Sequence, residues 1–227
     1  MYRRAHIWFF VAFVVVLGGF GPTFFTRLGE TPWSYLIHGG SATLWFIMLI
    51  SQSWLITHGQ PGWHRKLGWA SLAVFPAMLL SGLHMVRLML TVRLEGYGDL
   101  AYTLALIDIP SVVLLGVFYA LALKHRREVQ LHSRYMSATV ILLLPPALGR
   151  FMAFWVPGID GLVPALNPMM VVTEAIAVAL IIHDWRGGKV YPPYPITLGA
   201  LVVIHALMWP APRMEWWVAF SLWFGGG

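Results

Sequence analysis

A chain of 227 residues in which 59% are hydrophobic and only 11% charged, with a mean hydropathy of +0.72, departs from soluble domains, where about 25% of residues are charged. At about 20 apolar residues per crossing, this length allows roughly seven membrane helices and leaves no room for a soluble domain. With no cysteine there is no disulfide, iron-sulfur cluster or thiolate nucleophile, so any metal must rest on His, Asp, Glu or Met; and the net charge of +6 sits in short loops, which points to membrane topology and not to nucleic acid.

Seven apolar stretches are predicted as crossings. The first, about 5 to 25, begins MYRR and has no small-residue cleavage site, so it reads as a retained helix; Gly18, Gly19 and Gly21 within it point to close packing. The second, 34 to 57, has His38 near its start. The third, 67 to 92, follows His64 and carries His84. The fourth, 101 to 124, holds Asp108, and the fifth, 134 to 156, follows His132 and carries Arg150. The sixth, 165 to 183, contains Asn167 and Glu174. The seventh, 196 to 218, comes after Pro192, Pro193 and Pro195 and has His205 near its middle. From Met214 onward, Trp216, Trp217, Trp223 and Phe224 read as an interfacial aromatic anchor. Pro76, Pro110, Pro145, Pro146 and Pro168 fall in or at the start of four helices, where each removes a backbone donor and can kink the helix beside a cavity.

Alternate loops divide the bases unequally. Arg3, Arg4, Arg65, Lys66, Lys124, Arg126, Arg127, Arg134, Arg186 and Lys189 fall on one side, ten in all, and Arg27, Arg87, Arg93, Arg150 and Arg213, five, on the other. The positive-inside rule then places the N-terminus in the cytoplasm and the C-terminus outside. The expected fold is all-α, one seven-helix domain over 1 to 227, multi-pass in a cell inner membrane.

The histidines lie at two depths. A rise of 1.5 Å per residue separates His64 from His84 by about 30 Å, one hydrocarbon thickness. That gives an inner pair, His64 and His132, and an outer pair, His38 and His84. A b-type cytochrome needs such levels, because each haem iron takes two axial ligands and two haems pass an electron across the low-dielectric core. His64 and His132 are expected to face each other, with Gly68, Ala70, Ser71, Ser137 and Ala138 leaving room for a flat cofactor. Asp108, Arg150 and Glu174 form a second candidate set. Ionisable groups at depth cost about 3 kcal/mol on insertion scales, so Arg150 should pair with Asp108 or Glu174. Those three residues also suit a proton-relay transporter or an assembly subunit. A third reading is a zinc-dependent membrane hydrolase with His38, His84, Asp108 and His205 as ligands in the outer half. A retinal protein is nearly excluded, since Lys189, the only lysine near the seventh helix, lies in the loop before it.

The stretch His38-Gly-Gly-Ser-Ala-Thr-Leu-Trp, then Gln52, then His64-Arg-Lys-Leu-Gly-Trp-Ala-Ser, and the later His132-Ser-Arg-Tyr-Met with Arg150 closing the same helix, resemble a group of bacterial membrane proteins classed as a domain of unknown function. The resemblance covers about residues 34 to 152. That group's four-helix core is similar to the haem-binding bundle of b-type cytochrome ferric reductases, in which histidines on alternate helices clamp the haems. The resemblance therefore implies haem b on His64 and His132, electron transfer from a quinol or a cytoplasmic donor, and a quinone or another membrane subunit as partner. The pattern departs at the fourth helix, which offers Asp108 and no buried histidine, so that His38 would pair with His84 or stand alone.

Overall fold

The computed structural model describes residues 4–92 and 94–226. Arg3 and Arg93, which entered the charge count, lie outside the described residues. All regular structure among the described residues is helical: α1 Ala5–Phe20, α2 Trp33–Thr57, α3 Pro61–Thr91, the single turn α4 Leu94–Tyr97, α5 Leu100–Lys124, α6 Val129–Trp155, α7 Leu162–Arg186, α8 Pro193–Met208 and α9 Glu215–Gly225. Short 3-10 turns lie at Phe25–Glu30 and Ala211–Arg213. Five helices, α2, α3, α5, α6 and α7, are long and apolar enough to cross a membrane, and α1 and α8 are shorter apolar helices of 16 residues each. The chain is thus an all-α, multi-pass membrane protein. Helices suit that setting because each backbone donor finds its acceptor within its own segment, where lipid offers none. Trp8, Ile37, Trp69, Leu80 and Val113 stand exposed, a liability in water but ordinary for side chains that face acyl tails.

Local chemistry sets the boundaries. Past the end of α2, Gly59 takes a positive φ of 71°, and Pro61 then opens α3 at the first helical position, where its missing N–H costs nothing. Pro76, Pro110, the Pro145–Pro146 pair and Pro168 all lie inside helices that continue through them. The seventh expected crossing needs correction. It is not one helix over 196 to 218: α8 ends at Met208, Pro210 and Pro212 bracket the break, and α9 starts afresh at Glu215. Two prolines in three residues remove the donors that would have carried the helix on.

The chain divides into two compact units, 1–81 with 143–169, and 82–142 with 170–227. In the first, Trp45 and Phe75 meet edge to face with ring centres 4.8 Å apart, and Phe13 stacks on Phe46 at 5.9 Å. There α1 packs closely on the end of α6. A Cβ on Gly19 would fall against the carbonyl oxygen of Ala147, and one on Gly18 against the Phe151 ring, while Trp155 Nε1–H donates to Gly18 O at 3.0 Å. The backbone of Ala147 cannot swing aside as a side chain can. Gly19→Val is therefore expected to lower stability by about 1–3 kcal/mol, the usual cost of overpacking, whereas Gly40→Ala, which meets nothing within 4 Å, should not; thermal unfolding of the detergent-solubilised protein measures both.

In the second unit, α9 docks through Trp217, which is buried and donates its Nε1–H to Tyr102 O at 2.9 Å, while Trp216 and Trp223 remain exposed. The C-terminal aromatic segment is thus a packed helix held by one buried tryptophan, not only an interfacial anchor.

Candidate functional site

His64 lies in the first turn of α3, entered from the end of α2. Its Nδ1–H donates to the Gln52 carbonyl at 3.3 Å. A carbonyl oxygen can only accept, so the proton sits on Nδ1 and a neutral ring carries its lone pair on Nε2. Close by, Gln52 Oε1 is buried and has no hydrogen-bond partner, and a Cβ on Gly68, one turn beyond His64, would be 3.7 Å from Gln52 Nε2. At the other end of α2, His38 is half-buried with Nδ1 3.2 Å from Ser81 Oγ. The same Ser81 hydroxyl also lies 3.1 Å from Met78 O. Arg150, in the same unit, donates to Pro146 O at 3.0 Å and lies over the Phe20 ring at 4.7 Å. Asn167 is exposed.

In the second unit, His132 repeats the arrangement of His64. It stands in the first turn of α6, and its Nδ1–H donates to the carbonyl of Ala122, near the end of the preceding α5, at 2.8 Å. His84 is exposed on α3, so it does not offer the buried imidazole expected of an outer pair. Asp108 is half-buried on α5. Glu174 Oε1 is 2.9 Å from His205 Nδ1, with side chains 19% and 23% exposed, so a carboxylate outside the expected zinc set stands at His205. Among the described residues no three His, Asp or Glu side chains are grouped to hold a metal ion. A haem iron asks for two axial ligands, not three.

The strongest electrostatic feature escaped the sequence. Arg134, counted there as a loop charge, is fully buried, as is Asp184 near the end of α7. Arg134 Nε–H and Nη2–H donate to the two carboxylate oxygens of Asp184 at 2.7 Å each, a bidentate pair. Nη1–H donates to Gln130 O at 2.9 Å, and the guanidinium lies over the Tyr191 ring at 4.0 Å. Arg134 is five residues into α6 and Asp184 two from the end of α7, so helices running in opposite directions bring both to one level. The Arg134 backbone is two residues from His132, so the same pair fixes the turn that presents that ring.

No protein-family model matches the chain, and neither a curated protein nor a solved structure is significantly similar to it.

Proposed function

We propose that the chain is a membrane-embedded b-type haem protein that moves electrons from a quinol or a cytoplasmic donor toward the outer face, with His64 and His132 as axial ligands. One observation carries this reading. Both histidines open a helix, and each is held by an Nδ1–H bond to a backbone carbonyl of the helix before it, the outer-shell contact that fixes tautomer and ring orientation in metal-ligating histidines. Haem b supplies, when bound, a one-electron couple on iron. The protein's part is positioning: the two carbonyls fix the tautomers of the imidazoles, and small residues stand near each in its own helix, Gly68 and Ser71 by His64, Ser137 and Ala138 by His132. Arg65, Lys66, Arg126 and Arg127 are exposed beside the same helix ends and suit propionate carboxylates. Gln52 Oε1 adds an unsatisfied acceptor next to His64. His38, half-buried with Nδ1 beside the Ser81 hydroxyl, is a further candidate for an outer haem. The test is haem content: the purified protein should carry at least one haem b per chain by extraction and pigment assay, and a colourless protein would remove the reading.

We further propose seven crossings, α1, α2, α3, α5, α6, α7 and α8, with the N-terminus cytoplasmic. Even with Arg134 taken out of the loop charges by its burial, nine bases fall on the inner side against five. At 11 residues α9 spans only about 16 Å, too short for an eighth crossing. Reporter fusions after Gly226 should therefore be active outside the cytoplasm and fusions within 125 to 128 inside it, and the reverse pattern at either point would overturn the orientation.

A proton-carrying transporter or assembly subunit is the second reading. It is favoured by the Glu174–His205 contact, a carboxylate and an imidazole sharing one proton position within apolar helices. A pigment-free protein would leave that reading standing.

A further inference from the structure

His6 lies in the first turn of α1 and His58 directly follows α2, so these neighbouring antiparallel helices bring two imidazoles to one end of the first unit. The ring centres are 6.4 Å apart with the planes at 62°. His58 is held in place: its Nδ1–H donates to Trp54 O at 2.8 Å, and its ring stacks on the Trp54 indole at 4.2 Å. Since the carbonyl can only accept, the lone pair of a neutral His58 is on Nε2. His6 Nδ1 is buried and has no hydrogen-bond partner, a state that costs free energy unless something occupies it. Two rings that share one ion, with about 2 Å from metal to nitrogen and roughly 1 Å more to each ring centre, have centres about 5 to 6 Å apart. The observed separation needs a swing of a few tenths of an ångström or more, within the reach of His58, which is exposed.

We propose that His6 and His58 form a two-imidazole site for a late first-row transition-metal ion, copper or zinc, bound through His6 Nδ1 and His58 Nε2. Neutral nitrogen donors without a thiolate select these ions over magnesium or calcium, which take oxygen ligands. No third His, Asp or Glu joins the pair among the described residues, so water completes the coordination on the open His58 side and the ion is exchangeable. The site shares no residue with the haem reading and does not depend on it.

The experiment titrates tag-free, chelator-stripped protein in detergent with copper(II) and, separately, with zinc(II), read by calorimetry and, for copper, by the nitrogen hyperfine lines in its electron paramagnetic resonance spectrum. One equivalent should bind. His6→Ala and His58→Ala should each weaken it at least tenfold, while His183→Ala, at an exposed histidine of the second unit, should bind like the wild type. Size-exclusion profiles and thermal unfolding of the three variants identify any that fail to fold, and for these His6→Gln or His58→Gln takes the place of the alanine variant. A folded His6 or His58 variant that binds like the wild type, or a wild type that binds no ion, overturns the proposal.

Discussion

Asp184→Ala is expected to destabilise the protein by about 3–5 kcal/mol, the usual cost of leaving one partner of a buried ion pair uncompensated. Both side chains of the pair have no exposed area, and the Arg134 guanidinium makes four hydrogen bonds to Asp184 and Gln130. Removing the carboxylate strands a cation that can neither reach water nor lose its proton. A loss of that size is comparable with the whole margin of many domains, about 5–15 kcal/mol, so the first readout is the yield of monodisperse protein after detergent extraction, followed by its thermal unfolding. Arg134→Lys should also be costly, since an ammonium cannot reproduce the two-point contact. The double replacement Arg134→Met with Asp184→Leu should regain most of the loss, because it removes both charges together. Glu128→Ala, which breaks only the exposed His125–Glu128 contact, should change little. An Asp184→Ala protein as stable as the wild type would contradict this account of the pair.

How much of this was legible in the sequence depended on the length scale. Membrane residence and the five long helices follow from long apolar runs, because the bilayer imposes that length regardless of what packs where. The seventh stretch misled because the apolar residues of α8 and α9 on either side carry a hydropathy average across 209 to 212 while Pro210 and Pro212 break the backbone, so composition and conformation point opposite ways. The close approach at Gly18 and Gly19 was legible, since only glycine gives such access. Arg134 was not: a base near a helix end looks the same whether it snorkels to the interface or turns inward, and only Asp184 on another helix decides. The Glu174–His205 contact was hidden likewise, as it joins residues 31 positions apart whose helix faces no periodicity orients. The tautomers of His64 and His132 rest on backbone carbonyls that no motif displays.

If the proposed haem ligation holds, His64→Leu and His132→Leu are each expected to abolish the haem, because losing either imidazole would remove one of the two axial ligands. The leucines should leave the helices inserted, as each replaces a half-buried imidazole with an apolar side chain of similar size in an apolar helix. Gln52→Leu is expected to keep the haem, since His64 is held by the Gln52 backbone carbonyl and not by its side chain. The most direct measurement is the dithionite-reduced minus oxidised absorption spectrum of the wild type and the two histidine variants, prepared side by side in the same detergent. The account predicts a Soret and a sharp α band in the wild type that are lost from both variants at equal protein recovery; a wild type without those bands, or bands that survive in either variant, would contradict it.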